Sequence, residues 1–335
     1  MSELGDRLAA RTLELIDIPS ESGDETRLVA HVASLLGATD LGDTCVAVRR
    51  GAPVLLAGHL DTVPAQGNLP GRVDGRRVHG LGASDMKGAL AVMIELARAG
   101  APFDCLFFGR EELPGRYSAL APLLERERLE YELVVMMEPT ANELHAGCVG
   151  NVNATWSFHG RSGHSARPWD ADNAIHAAAR GIAALAKRDR EEHVFDGLTF
   201  YEVASVTQIR GGIAQNVIPD RVDCHVNYRF APGRTAEEAQ ARLRELCPAG
   251  ELTIDSLAPS GPVAVANARA QALIAAGALR VAPKQAWTPV AEFGEAGLDA
   301  INFGPGEPAQ AHRRDESVEI AALERSYRVL EAFAA

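Results

Sequence analysis

The chain has 335 residues, 47% of them hydrophobic, with no excess of Pro or Gly. That is enough for one large domain or two ordinary ones with a substantial core, and it excludes disorder as the main state. Forty-five acidic against 33 basic residues give a formal net charge of −12, which argues against a nucleic-acid surface but leaves room for a locally positive pocket.

Leu4, Leu8, Leu15 and Ile16 recur at helical spacing and predict a first helix over residues 2–17, stopped by Pro19. The N-terminus shows no basic start followed by an apolar stretch. No apolar run reaches the roughly 18 residues of a membrane span, so a cytoplasmic protein is expected. A second helix is predicted over about 24–36. Short apolar runs at 45–48, 54–58, 105–109 and 133–137 read as buried strands. Between them lies a strong helix over 85–99, with Leu90, Met93, Ile94 and Ala97 on one side. Strands separated by a helix predict an α/β fold with a mixed, mostly parallel sheet sandwiched by helices.

Near Asn151 the pattern changes to alternation: Val152, Ala154, Trp156 and Phe158, then Val222, Cys224, Val226, Tyr228 and Phe230. A sheet with one wet face reads this way. Helices are predicted over 172–187 and from the capping box TAEE at 235–238 to about Cys247. With strands near 201–208 and 252–254 this makes a βαββαβ-like, ferredoxin-like α+β unit. A helix at 268–279, a strand at 300–303 and a last helix at 320–333 return to α/β. The expected organisation is a discontinuous catalytic domain, 1–150 and 263–335, with 151–262 inserted. The five cysteines, Cys45, Cys105, Cys148, Cys224 and Cys247, are scattered with no C-x-x-C pair, which fits a reducing compartment.

Several chemically apt residues follow predicted strands. His59 ends VLLAGH, Glu111 and Glu112 follow FDCLFFGR, Glu138 ends ELVVMME, and His312 lies past INF. Ligands of open α/β sheets bind at the carboxyl ends of strands. Asp85, at the start of a predicted helix, suits the same edge. Imidazole and carboxylate are the usual non-thiolate ligands of zinc. Paired hydrolytic metals sit about 3.5–4 Å apart and need a bridging carboxylate. Taken singly, Glu111 and Glu112 also read as a solvated charge pair, and Glu138 as a strand end. On an extended segment one of the two glutamates can ligate while the other faces water, and spacing leaves open which.

The motifs settle more. GHLDTVP (58–64), GLGASDMKGALA (80–91), REELPG (110–115), MEPT (137–140), GRSGHSARP (160–168), QNVIPD (215–220) and AHRRDE (311–316) occur in order over nearly the whole chain. Together they resemble the zinc-dependent aminoacylase and carboxypeptidase family, a zinc-exopeptidase-like fold with an inserted lid and dimerisation domain. The resemblance implies two Zn2+ per subunit, with Co2+ and Mn2+ as alternatives. His59, Asp85 and Glu138 would hold one ion. Asp85, Glu112 and His312 would hold the other. Asp61 would orient the His59 ring, and Glu111 would be the general base. A non-proline cis peptide is implied at Asp85–Met86. His164 would reach the site from the partner subunit of a homodimer, and Arg167, Asn216 and Arg229 would face substrate. Arg313 and Arg314 are cationic neighbours of His312 with no assigned role.

ELHAGCVGN, HSARPWDADNAIHA and INFGPGEPAQAHRRDE resemble the actinobacterial desuccinylase branch of this family. That branch implies a small anionic substrate, N-succinyl-LL-2,6-diaminopimelate. WTPVAEF (287–293) departs from the branch's usual W-T-D-V-A-R-F at Pro289 and Glu292, and this puts substrate choice in question. Other expectations are a deacylase of another N-acyl amino acid such as N-acetylornithine, and a metal-binding relative without turnover.

Overall fold

In the computed structural model, which describes residues 2–113 and 115–335 (Arg116 by its backbone), the apolar runs become the central strands of a sheet. Eight strands lie in the order Thr39–Gly42, Cys45–Val48, Asp104–Phe108, Val54–His59, Leu133–Met136, Ala300–Asn302, Leu144–Ala146 and Val281–Pro283. The middle four run parallel to one another, and antiparallel pairings appear on either side of them. Every residue of Asp104–Phe108, Val54–His59 and Leu133–Met136 is buried, as expected of strands covered on two faces.

The chain divides into two units. The first comprises residues 1–147, 261–284 and 288–335. In it the helix Glu3–Ile16 starts at Ser2, whose hydroxyl accepts the Gly5 N–H at 3.0 Å, and turns Leu8, Leu15 and Ile16 fully inward. Each such side chain removed from water contributes about 1.5–3 kcal/mol. The helix Gly88–Arg98 is buried from Gly88 through Ala97. It packs against Glu3–Ile16 and Ile320–Ala334, which explains why that span is apolar except for Glu95, whose carboxylate pairs with Arg7 and Arg11 of Glu3–Ile16.

The second unit comprises residues 148–260 and 285–287. Its main sheet orders Glu191–Phe195, Leu198–Gly211, Arg221–Phe230, Gly150–His159 and Glu251–Ala258, all antiparallel. Without the edge strand Glu191–Phe195 this is the ferredoxin-like βαββαβ order. Strict alternation in Arg221–Phe230 buries Val222, Cys224, Val226, Tyr228 and Phe230. The helix Ala174–Leu185 packs on that side. Thr235 and Glu238 form both halves of the capping box that opens Ala236–Leu246, worth about 1 kcal/mol. All five cysteines are buried. Among the described residues no helix is long and apolar enough to cross a membrane.

The WTPVAEF segment is accommodated locally. Pro289 occupies the entrance of the helix Val290–Glu295 with φ −58, where a missing N–H forfeits no helical bond. Glu292 is largely enclosed, and burial pushes its carboxyl up to about 7, partly opposed by the Ser118 side chain. The folded protein therefore holds this proton between about pH 4.5 and 7 while the unfolded chain releases it, so the residue destabilises increasingly as pH rises through that window. Glu292→Gln is expected to raise stability by about 2 kcal/mol at pH 8 and by almost nothing at pH 4.5. Urea unfolding at both pH values checks this, and a gain independent of pH contradicts it.

Candidate metal centre

Four parallel strands deliver loops to one edge of the large sheet. His59 is the last residue of Val54–His59. Glu111 and Glu112 follow Asp104–Phe108 after Arg110, whose φ of 61 turns the chain. Glu138 lies just beyond Leu133–Met136. His312, φ 62, lies on the loop after Ala300–Asn302. That loop begins GPG for a packing reason. A Cβ on Gly304 would come within 2.5 Å of the Glu138 carbonyl, and one on Gly306 within 2.1 Å of the Ser84 carbonyl. Backbone bonds close the approach: the Ala141 N–H donates to Gly306 O at 2.7 Å and the Asn142 N–H to Gly304 O at 2.9 Å.

Asp85 is not helical, contrary to the sequence expectation. The helix begins at Gly88, and Asp85 (φ −125, ψ 87) and Met86 (φ −137, ψ 31) lie in a wider turn, 83–87. The Lys87 N–H closes that turn five residues back on Gly82 O at 2.6 Å. The Asp85–Met86 peptide is cis.

These loops bring the predicted ligands together. Asp85 Oδ1 lies 3.2 Å from His59 Nε2, and Asp85 Oδ2 lies 3.6 Å from His312 Nε2. Glu138 Oε1 is 3.9 Å from His59 Nε2, and Glu112 Oε1 is 2.9 Å from His312 Nε2. Single donor atoms of His59, Asp85 and Glu138 all lie within 4.8 Å of one another, as do those of Asp85, Glu112 and His312. The two groups share Asp85, one oxygen facing each. His59, Glu111 and Glu112 form a third overlapping group.

The electrostatics suit cations. Burial, then the charge of Asp85, pushes the Glu138 carboxyl up to about 7. Burial raises Glu111 well above the carboxylate range, His59 opposing and Glu138, Glu112 and Asp85 reinforcing. Glu138 Oε1 is buried without a hydrogen-bond partner. An orphaned buried carboxylate oxygen among imidazoles and further carboxylates is a donor set that fits divalent metal.

Asp61 stands beside the His59 ring and carries further bonds. His59 Nδ1 sits 3.0 Å from the main-chain carbonyl of Asp61 but 3.5 Å from its carboxylate. A proton on Nδ1 donated to that carbonyl leaves Nε2 free as a ligand atom. The carboxylate also accepts the Glu111 N–H and Glu112 N–H, each at 3.0 Å, and the Ser22 hydroxyl at 2.7 Å. Asp61 thus sets both the imidazole and the glutamate pair.

Sequence reading missed Ser22 and Lys284. Lys284 is 7% exposed and donates to the Pro139 carbonyl at 3.2 Å, beside Glu138. A lone lysine after a three-residue strand carries no signal in sequence. Of the cationic neighbours of His312, Arg313 pairs with Asp315, and Arg314 Nε donates to Gln66 O at 2.9 Å.

The expected substrate-facing residues lie in the other unit. His164 stands on the short ribbon of Gly163–His164 with Val217–Ile218. Arg167 donates its N–H to the His164 carbonyl at 2.8 Å, and the Asn216 carbonyl accepts from Ser165 N–H at 3.0 Å. All three are exposed on that ribbon and its flanks. Arg229 lies apart on Arg221–Phe230, where its Nε donates to Asn227 Oδ1 at 3.0 Å. No carboxylate pairs with it among the described residues. Another acid–imidazole group in this unit, Glu191, His193 and Glu202, is already neutralised. Arg234 holds both oxygens of Glu202, at 2.6 and 3.1 Å, and Arg242 pairs with Glu191.

Comparison with known proteins places this geometry. Residues 55–335 match the profile of peptidase family M20/M25/M40. A Mycobacterium tuberculosis protein carrying the provisional name succinyl-diaminopimelate desuccinylase is 36% identical, covering 93% of each chain. The succinyl-diaminopimelate desuccinylase of Corynebacterium glutamicum is 32% identical, over 97% of this chain and 96% of its own. An N-acetyl-L-citrulline deacetylase of Xanthomonas campestris is 33% identical over 85% and 83%. Among solved structures, a Staphylococcus aureus tripeptidase superposes with a TM-score of 0.79 at 19% identity, over 98% of each chain. The chain therefore belongs to the M20/M25/M40 family of metallohydrolases.

Proposed function

We propose that this chain hydrolyses the amide bond of N-succinyl-LL-2,6-diaminopimelate, yielding succinate and LL-2,6-diaminopimelate, with two zinc ions per subunit. The observation that carries the metal reading is Asp85, whose two carboxylate oxygens face two separate ligand groups. His59, Asp85 and Glu138 would hold one ion, and Asp85, Glu112 and His312 the other. Bound there, the ions would polarise the amide carbonyl and make a water acidic enough to attack near neutral pH.

The remaining steps belong to the chain's own residues. Glu111 takes a proton from the attacking water and returns it to the leaving amine, a role suited to a carboxyl whose affinity for protons is raised by burial. Asp61 holds the main chain of Glu111 and Glu112, so that neighbouring side chains take different tasks. Arg229 is assigned to a carboxylate of the substrate, because a partly buried guanidinium without a carboxylate partner favours an anion, and Arg167 and Asn216 are assigned to the same substrate by the motifs in which they stand. The inserted unit is assigned to pairing two copies, so that His164 of one copy completes the site of the other as an oxyanion donor.

The substrate assignment rests on the relatives at 36% and 32% identity. A deacylase of another N-acyl amino acid is the second reading, favoured by the N-acetyl-L-citrulline deacetylase at 33%. A panel of N-succinyl-diaminopimelate, N-acetylornithine and N-acetylcitrulline separates them. The expected kcat/KM for the succinyl compound exceeds the others roughly 100-fold, since buried polar groups left unpaired penalise the wrong substrate. Preference for an acetyl compound would transfer the assignment to the second reading. Two bound metals without turnover of any amide would exclude both.

A further inference from the structure

Glu316 lies four residues beyond His312 and is 2% exposed. Its Oε1 accepts the N–H groups of Ser84 and Asp85, and its Oε2 accepts that of Gly82, each at 2.9 Å. Its main-chain carbonyl accepts the Gly80 N–H at 3.1 Å. The residues that follow, Ser317–Glu319, pair with Arg77–His79. The carboxylate is therefore fixed from its own backbone outward.

Converging amides at the start of a turn form an anion-binding concavity. Here the anion is the protein's own side chain. Lys87, the buried cation of the same turn, directs its Nζ to the Ile18 carbonyl at 2.9 Å, so the amides are the hydrogen-bond partners of Glu316. Bonds from amides to a carboxylate are charge-assisted, and losing the acceptor would leave three buried N–H groups unsatisfied. One of these amides is that of Asp85 itself. Holding its nitrogen restrains the backbone from which its side chain leaves, and the oxygens of that side chain lie 3.2 and 3.6 Å from the two imidazoles.

We propose that Glu316 is a positioning residue that sets Asp85 between the two metal-binding groups and ties its place to the His312 segment. The inference rests on the reading of Asp85 as the shared ligand. It predicts a signature that a purely structural residue lacks: both metal sites weaken together.

The test is calorimetric titration of chelator-stripped, full-length protein with zinc. Glu316→Gln preserves the side chain's shape but not its charge or its second acceptor. The expected result is a folded protein in which both binding steps weaken in parallel by about 10–100-fold, while Glu112→Gln weakens one step alone. A folded Glu316→Gln protein with zinc affinities within about twofold of the parent overturns the proposal, as does weakening of a single step. If Glu316→Gln does not fold, Glu316→Asp withdraws the carboxylate by one methylene and is expected to show the same paired weakening. Native affinity in that variant then overturns the proposal. Asp85→Asn separates the two levels. Two tightly bound zinc ions in Asp85→Asn would remove the shared-ligand reading itself, whereas loss there with native binding in Glu316→Gln would remove the clamp alone.

Discussion

Glu111→Gln is expected to keep both metal ions and lose about 10²–10⁴-fold in kcat, the range for removal of a positioned general base. Glu111 and Glu112 are sequence neighbours whose amides are held by the two oxygens of Asp61 at 3.0 Å. Glu112 reaches His312 Nε2 at 2.9 Å, and under the proposed function it is the ligand of the two. Glu111 has the proton affinity of a base, raised by burial and by the neighbouring carboxylates. Glutamine is nearly isosteric but cannot accept the proton. Steady-state rates together with metal analysis on the same sample check this, and near-normal turnover would reassign the base. The variant also tests the proposed pairing of subunits. Mixed with His164→Ala and allowed to exchange, it is expected to recover about a quarter of parental activity, from heterodimers with one intact site each. No recovery after demonstrated exchange contradicts the trans role of His164.

Asp85→Asn is expected to have the larger effect on metal. The substitution replaces one of the two oxygens that face His59 and His312 with a donor that cannot ligate, and it removes the charge shared by both groups. Zinc content is expected to fall below one ion per chain, and turnover by about 10³-fold or more. Glu138→Gln and Glu112→Gln are each expected to weaken one site, because each belongs to one of the two groups built around Asp85. An Asp85→Asn protein that keeps two ions and its activity would require a different bridge.

Much of this was legible in the sequence because the relevant signals are local and strong. Apolar runs before His59, Glu111 and Glu138 read as buried strands, and the strand ends placed the candidates at one edge. The alternation from Val222 to Phe230 and the capping box at Thr235 predicted elements that the structure contains. What escaped depends on contacts between distant segments. Asp85 reads as the start of a helix, since ASDMKGALAVMIELA is apolar and helical in composition. Yet its backbone is extended, and its amide bonds to Glu316, 231 residues away. Strands of three residues, such as Leu144–Ala146 and Val281–Pro283, are too short to show a period. They form by pairing along an existing sheet. The carboxylate of Asp61 reads as the neighbour of His59 two residues away, but the two amides and the Ser22 hydroxyl that it also accepts come from segments 39 to 51 residues distant and carry no local signal.

The most direct test of the account is zinc titration of stripped parental protein with amide hydrolysis followed in parallel. Turnover of N-succinyl-diaminopimelate that rises with zinc and reaches its plateau at two ions per chain is the predicted result. Full turnover in the stripped protein, or a plateau with His59, Asp85, Glu112, Glu138 and His312 all replaceable, would contradict it.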